Sequence, residues 1–379
     1  MDNTKQILIV GAGSIGQRHL RNLKTLGWEN ITVLRRKPDP EFEEAHSVRV
    51  ITDYREMEVA PYAVVACNPT SLHLDPLRYA ALSGTHLFME KPLIHTESGL
   101  KEAEKLLSGF SGLFFIGYML RFHPAIEVID RIVKSSLAGE AVIPKQLMTE
   151  LKEQGDERDP KRTLLSHSQH PDSDMGLKAE HSLSEIPLNL GAPFSARLEF
   201  GSYLPGWPYK EYKQSYAAKR DLGGGVINTI SHELDLICHL FGTPGKLSAT
   251  AFNIGRLGIE AEEMCEALFV YRDMAVTLHL DYLQKTYDRR IRILFSEGTL
   301  EWDWSSETIQ IFPAAGDKVS LYVPMGDLNS LYLDEMKAFL NLAAANQKNH
   351  PLDSDYSLLN TRLLLLMHHS SRNGITVDV

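Results

Sequence analysis

The feature that most constrains what this chain can fold into lies at its start. Ile7-Leu-Ile-Val10 runs directly into Gly11-Ala-Gly13-Ser14-Ile15-Gly16, and a helical pattern follows over residues 15–26. A short unbroken apolar run suits a strand buried on both faces of a parallel sheet. A G-x-G-x-x-G that leaves such a strand and opens a helix is the fingerprint of a dinucleotide site. Gly11 permits the tight turn, Gly13 lets the backbone approach a pyrophosphate, and Gly16 lets helix and strand pack closely. Ser14 and Ile15 open the helix whose N-terminal amides and positive dipole end would face the phosphates. The competing reading, a tight turn without a ligand, leaves the third glycine unexplained.

The next hundred residues keep the same rhythm. Apolar runs at 31–34, 62–66, 86–89 and 114–117 read as strands, with a helix over 74–82. Such alternation predicts a doubly wound parallel sheet, an α/β Rossmann domain over residues 1–120. The texture then changes. Longer strands at 192–205, 246–256, 264–284, 289–303 and 308–323, with a hairpin around 296–299, predict an α+β domain over 121–379 with a large, mostly antiparallel, open-faced sheet. A helix over 225–240 interrupts these strands, and helices over 331–345 and 356–371 close the chain. Residues 141–190 are polar, broken by Gly and Pro and without a period, so they read as an insertion, partly disordered or a flap over the site.

Composition excludes several classes. A formal net charge of −10 argues against nucleic acid as a partner. Cys67, Cys238 and Cys265 are odd in number and form no C-x-x-C pair, which suits a reducing, cytoplasmic setting and no zinc site. The start of the chain shows no signal-peptide pattern, and no apolar run has the length to cross a bilayer, so no membrane role is expected. His167, His170 and His181 lie in the polar insertion and read as solvated histidines, not metal ligands.

The second strand ends in Arg35-Arg36-Lys37, where an enzyme selective for NAD usually places a carboxylate for the ribose hydroxyl. A guanidinium can instead bind a 2′-phosphate bidentately, so Arg35 and Arg36 favour NADP(H), with NAD(H) possible. Solvated surface cations are the plainer alternative.

Three further segments carry a resemblance: Ala66-Cys-Asn68-Pro69-Thr70-Ser-Leu-His73, Glu90-Lys91-Pro92, and Gly223-Gly-Gly225 leading into His232-Glu-Leu-Asp235. In this order the chain resembles the glucose–fructose oxidoreductase / inositol dehydrogenase / rhizopine-catabolism (Gfo/Idh/MocA) family over nearly its whole length, the 141–190 segment apart. The resemblance implies that Lys91 lies beside the nicotinamide and the reacting carbon, that Pro92 is cis, and that Asn68, Pro69, Thr70, His73 and Glu90 border the cofactor. Independently of it, a lysine at the C-terminal end of a parallel strand faces the ligand crevice. His73 could also simply cap the helix after it. Many members carry an Asp four residues before the histidine; this chain has Asn228 there, with Thr229 next to it. On a continuous helix, residues 228, 232 and 235 would share one face. His232 is then the candidate acid or base, Asn228 or Thr229 its hydrogen-bonding neighbour, and Asp235 a further catalytic candidate or a backbone anchor. Arg121, His123, Trp207 and Asp221 are candidate substrate contacts. Trp302 and Trp304 read as sheet packing or a subunit contact, not as a ligand platform.

The resemblance implies hydride transfer between a nicotinamide and a carbinol or keto carbon of a sugar, amino-sugar, nucleotide-sugar or cyclitol, with Lys91 and His232 relaying the proton. It also implies a homo-oligomer, dimer or tetramer, with the 356–371 helix returning to the Rossmann domain. Two other readings stay open: a glycosidase of the same family that cycles a bound NAD, and a non-catalytic cofactor sensor or scaffold, suggested by the missing Asp.

Overall fold

The computed structural model describes residues 3–143, 187–209 and 211–379. The expectations for most of the 141–190 insertion, its histidines included, lie outside the described residues. The N-terminal unit is a six-stranded, all-parallel sheet in the order β3-β2-β1-β4-β5-β6. Its strands are β1 (Ile7–Val10), β2 (Ile31–Leu34), β3 (Arg49–Ile51), β4 (Ala63–Ala66), β5 (His86–Glu90) and β6 (Phe114–Gly117). Every residue of β1, β4 and β6 is buried, as strands with helices on both faces must be. The helices between them are α1 (Ser14–Thr25), α2 (Pro40–His46), α3 (Leu74–Ser83) and α4 (Glu97–Ser108). The strand order reverses between β1 and β4, so the crevice beyond their C-terminal ends is where such a sheet takes a ligand. β3, α2 and α4 carry no apolar run long enough to have been read from sequence.

After α5 (Pro124–Leu137) comes a nine-stranded sheet in the order β14-β13-β12-β11-β7-β10-β9-β8-β15. It comprises β7 (Pro193–Gly201), β8 (Lys246–Phe252), β9 (Met264–Val270), β10 (Ala275–Asp281), β11 (Asp288–Phe295), β12 (Gly298–Asp303), β13 (Thr308–Pro313), β14 (Val319–Tyr322) and β15 (Val377–Asp378). All pairings are antiparallel except β7 with β10. Along β9, buried and exposed residues alternate strictly, with Cys265, Ala267 and Phe269 inward and Glu266, Leu268 and Val270 outward. One face is therefore covered by helices and the other is open. β15 pairs only with the start of β8; further along, the hydroxyls of Ser370 and Ser371 accept from the amides of Ala249 and Ala251, satisfying that edge.

The single helix expected over 225–240 is instead two, α6 (Val226–Thr229) and α7 (His232–Phe241), separated at Ile230-Ser231. Gly225 enters α6 at φ +102°, and a Cβ there would lie 2.1 Å from a carboxylate oxygen of Glu262. Glu262 fills the space at the α6 N-terminus, and its burial pushes its carboxyl up to about 7. Two helices close the chain, α8 (Leu328–Ala345) and α9 (Ser354–Asn373). From α8, Met336, Phe339, Leu340 and Ala343 join the core of the N-terminal unit. From α9, Leu363, Leu364 and Met367 belong to the second core; its other side reaches back through Asn360 to Tyr118 and through Arg362 to Glu104.

Candidate active site

The glycine turn is built for a ligand to approach. A Cβ on Gly16 would lie 2.1 Å from the carbonyl oxygen of Gly11, so any side chain there pushes helix and turn apart. A Cβ on Gly13 would meet nothing within 4 Å. No protein atom therefore crowds the Gly13 backbone. α1 has no side-chain cap and no acidic residue in its first turn, leaving its leading amides for an anion. These residues fit the pyrophosphate of a dinucleotide. At the end of β2 the Arg35 guanidinium lies 2.8 Å from Asp39 and stacks 4.3 Å from the Phe42 ring. Arg36 and Lys37 are exposed at the same rim.

The loop after β4 is tied down at several points. Asn68 donates to the Leu72 carbonyl, and Pro69 precedes a helical turn over Thr70–Leu72. The Tyr216 hydroxyl donates to the Gly223 carbonyl, so Thr70 donates to Tyr216 across 2.8 Å, joining the two units. His73 makes no side-chain cap to α3. It is 1% exposed, with Nδ1 3.0 Å from the Leu93 carbonyl and Nε2 2.9 Å from that of Asn68. Both ring nitrogens of His73, expected to border the cofactor, are thus taken up by backbone carbonyls. The ring clamps the Asn68 loop to the segment after Pro92.

Lys91 follows β5, and the Lys91–Pro92 peptide is cis. Its Nζ donates to the Thr229 carbonyl at 2.5 Å, the last residue of α6. Burial lowers its pKa below the usual lysine value, although Glu90, Glu233 and Glu335 pull it back up; Arg289 adds to the lowering. His232, the first residue of α7, is buried, and its Nδ1 finds no partner among the described residues. Burial, then the charges of Lys91 and Arg289, hold its pKa well below the ordinary value, so it is neutral at physiological pH. The break between α6 and α7 undoes the expected common face. Asn228 donates to the Gly224 carbonyl and meets His368 of α9, 3.2 Å from its Oδ1, instead of pairing with His232. Thr229 joins the site through its backbone.

Arg121 and Asp235 find each other. Nε and Nη2 of Arg121 donate to the two carboxylate oxygens at 2.8 and 2.9 Å, and the Tyr356 hydroxyl donates to Asp235 at 2.6 Å. Asp235 is 0% exposed, and the Arg121 side chain 7%. A bidentate pair this deep holds α7 and α9 to the crossover segment, and it takes up the groups of Asp235 and Arg121 that were expected to carry a proton and to meet the substrate. His123 is likewise structural: its Nδ1 accepts from the Ala125 amide at the start of α5, and its ring packs on Trp302 and Trp304. Trp207 is half-buried, donates to Ser202 and stands edge-on to Tyr282. Asp221 is exposed, in a helical turn beside the Thr70 loop.

Sequence reading missed three groups. The first is His19 of α1, to which Glu90, expected to border the cofactor, turns at 2.8 Å. Glu335 is 1% exposed, without a partner for either oxygen among the described residues, and burial with the nearby Glu90 charge pushes its pKa far above the carboxylate range. Its one sequence signal is its spacing, four residues from both Leu331 and Phe339 on the buried side of α8. The third is an ion pair between Arg289 and Glu233 at 2.7 Å, which nothing in the local sequence announces.

A parallel Rossmann sheet with a glycine-turn crevice and a strand-end lysine, joined to an open-faced mixed-sheet unit whose helix α7 carries a buried histidine, is the layout of a two-domain nucleotide-dependent oxidoreductase. Residues 5–118 match the model of an oxidoreductase family with an NAD-binding Rossmann fold, and residues 189–301 match the Gfo/Idh/MocA C-terminal domain. The chain belongs to the Gfo/Idh/MocA oxidoreductase family. It is 29% identical over 144 residues to the uncharacterized oxidoreductase YrbE of Bacillus subtilis, covering 36% of this chain and 42% of that one. It is 27% identical over 156 residues to the scyllo-inositol 2-dehydrogenase (NAD(+)) of the same organism, covering 38% and 44%. The matched region thus spans less than half of either relative. Among solved structures, levoglucosan dehydrogenase with NADH and L-sorbose superposes with a TM-score of 0.76 at 13% identity over 99% of both chains. An Agrobacterium radiobacter oxidoreductase with NAD+, L-tartaric acid and magnesium superposes at 0.74 and 14% identity, over 99% and 98%. No helix of the described residues is long and apolar enough to cross a membrane.

Proposed function

We propose that this chain is a pyridine-nucleotide-dependent oxidoreductase acting between a carbinol and a keto carbon of a sugar-type substrate. The observation that carries this reading is the half-buried Lys91 at the end of β5, its ammonium reaching across to α6 with its pKa lowered by burial. The nicotinamide, when bound, supplies or accepts the hydride. The glycine turn and the start of α1 hold the pyrophosphate, and Asn68, Pro69 and Thr70 form the crevice wall. Lys91 Nζ exchanges the proton of the reacting oxygen, and a lowered pKa brings it nearer the range where it can both give and take one. Neutral His232 hydrogen-bonds the same oxygen or its neighbour, and a substrate hydroxyl would satisfy its buried nitrogen. Arg36, with Arg35 behind it, favours a 2′-phosphate, hence NADP(H) over NAD(H). The substrate class is a sugar, amino-sugar, nucleotide-sugar or cyclitol, handled by a homo-oligomer in the cytoplasm.

The test is calorimetric titration with NADPH and NADH, followed by a screen of keto-sugars for steady-state NADPH oxidation. Binding with turnover supports the proposal. Binding with catalysis but no net cofactor consumption would point to a redox-cycling glycosidase, and binding with no turnover on any substrate to a sensor.

A further inference from the structure

Glu90, the last residue of β5, leads the chain into Lys91, and its carboxylate is held from two sides. Oε1 lies 2.8 Å from Nε2 of His19 in α1, and Oε2 accepts from the Lys91 amide at 3.3 Å. A carboxylate only accepts, so His19 Nε2 carries the proton. His19 is 0% exposed and Glu90 9%. The imidazole stands edge-on to Phe88 at 5.0 Å and to Tyr332 of α8 at 6.1 Å. Its Nδ1 meets no polar partner among the described residues. One nitrogen of the ring is thus committed to Glu90, and the rest of the ring sits among aromatic side chains.

The same stretch of backbone sends the next side chain elsewhere: Lys91 Nζ donates to the Thr229 carbonyl at 2.5 Å. A chain of hydrogen bonds therefore runs from α1 through His19 and Glu90 to the Lys91 backbone, and from the Lys91 amine to α6. Packing α1 onto the sheet does not need the polar pair. Leu20 and Leu23 of α1 already join the core of the N-terminal unit, and Phe88 packs there against Phe115 and Phe339. A buried polar pair costs desolvation that an apolar pair of the same volume avoids. Its use lies in what Glu90 adjoins. Around Glu90 stand His19 of α1, Cys67 after β4, His73 before α3, Tyr332 and Glu335 of α8, and Lys91 itself. The Glu90 charge raises the proton affinity of Lys91 against the effect of burial, as Glu233 and Glu335 also do, while Arg289 lowers it.

We propose that His19 is a positioning residue for Lys91: it holds the Glu90 carboxylate against the Lys91 amide, so that the amine meets α6 at a fixed place and beside a fixed charge. This rests on the reading of Lys91 as the proton carrier and deepens it. The helix whose first amides face the pyrophosphate is then also the helix that sets the lysine.

The test has one arm that needs neither cofactor nor substrate. Competitive labelling of the free protein with trace acetic anhydride, from about pH 7 to about pH 11, gives the midpoint at which the Lys91 amine loses its proton. The label on the Lys91 peptide is read by mass spectrometry. Glu90→Gln removes the charge and should lower that midpoint by about one pH unit. His19→Met removes the donor; a buried carboxylate that loses a hydrogen bond takes up a proton more readily, so the midpoint should fall by about half a unit or more. His19→Gln, which keeps an N–H within reach, should restore it, and His19→Met added to Glu90→Gln should move it no further. If His19→Met does not fold, His19→Asn, whose amide ends short of Glu90, takes its place. The second arm is turnover on a keto-sugar that the protein reduces. There the donor-less variant should lose at least about tenfold in kcat with KM for NADPH unchanged, and His19→Gln should recover most of it. An unmoved or raised midpoint in the donor-less variant, a further shift in the double variant, or an unchanged kcat overturns the proposal. Failure to bind either nucleotide, or to turn over any substrate, counts against the oxidoreductase reading alone, because the labelling arm is read without them.

Discussion

The two halves of the site are put together in opposite ways. On the cofactor side, Gly11, Gly13, Gly16 and the first turn of α1 lie within one turn of chain, and their geometry follows from a strand, a tight turn and a helix. On the substrate side, Lys91 follows β5, Thr229 ends α6 and His232 opens α7. The first half is local, and its groups are backbone amides. The second is a meeting of groups from distant segments. A local site is set by conformational preference, whereas an assembled one depends on packing, so substitutions should separate the two halves cleanly.

The largest expected effect comes from Lys91→Met, which removes the proton carrier while keeping the volume. Turnover should fall by about 10²–10⁴-fold with NADPH affinity unchanged, as read by steady-state kinetics and titration. Cofactor binding lost along with turnover would mean that the halves are not separable. Next is Arg121→Met, which strands Asp235 at 0% exposure. Denaturant unfolding should show a loss of about 3–5 kcal/mol. A loss under about 1 kcal/mol would show that the pair does not hold the second unit together.

A smaller effect tests the cofactor half. Arg35→Ala combined with Arg36→Ala should weaken NADPH by about tenfold, or about 1.4 kcal/mol, and leave NADH unchanged. Equal weakening of both would mean that the arginines shape the rim instead of reading the phosphate; Arg35, paired with Asp39 and stacked on Phe42, is the one that could do so.

The smallest expected effect is a pH-dependent one at the seam of the two halves. Folding keeps Glu335 protonated at pH values where the unfolded chain has lost that proton. Its contribution is therefore full below the ordinary 4.5 and is lost as pH rises toward the raised folded value. Glu335→Gln should unfold at a higher temperature than the parent at about pH 8, and the gain should vanish near about pH 4. A gain independent of pH would assign the effect to packing.

Legibility followed the same division. The parallel sheet was readable because strands buried on both faces are apolar throughout, as Ile7–Val10 and Ala63–Ala66 are. The antiparallel sheet was readable from alternation and from the Ser296-Glu297 turn between β11 and β12. The 225–240 helix was misread because Ile230-Ser231 carries no Gly or Pro; the break comes from packing between the units, where the Thr229 carbonyl turns to Lys91 instead of continuing α6. His73, His123, Arg121 and Asp235 were singled out for their chemistry, and all four went into buried hydrogen bonds. A polar side chain near a motif has the same letter whether it faces a ligand or a carbonyl.

By itself the sequence determined the alternation of most strands and helices in the first unit, the run of strands in the second, the glycine turn, the lysine at a strand end and the family to which they belong. Each of these is written in local periodicity or in a contiguous motif. Only the tertiary structure decided which charged groups are partners: Arg121 with Asp235, Glu90 with His19, Arg289 with Glu233, and Glu335 with none among the described residues. The physical reason is that the energy of a buried charge is set by what the fold brings within about 4 Å of it, and residues separated by tens of positions in the chain leave no trace of that distance in their spacing.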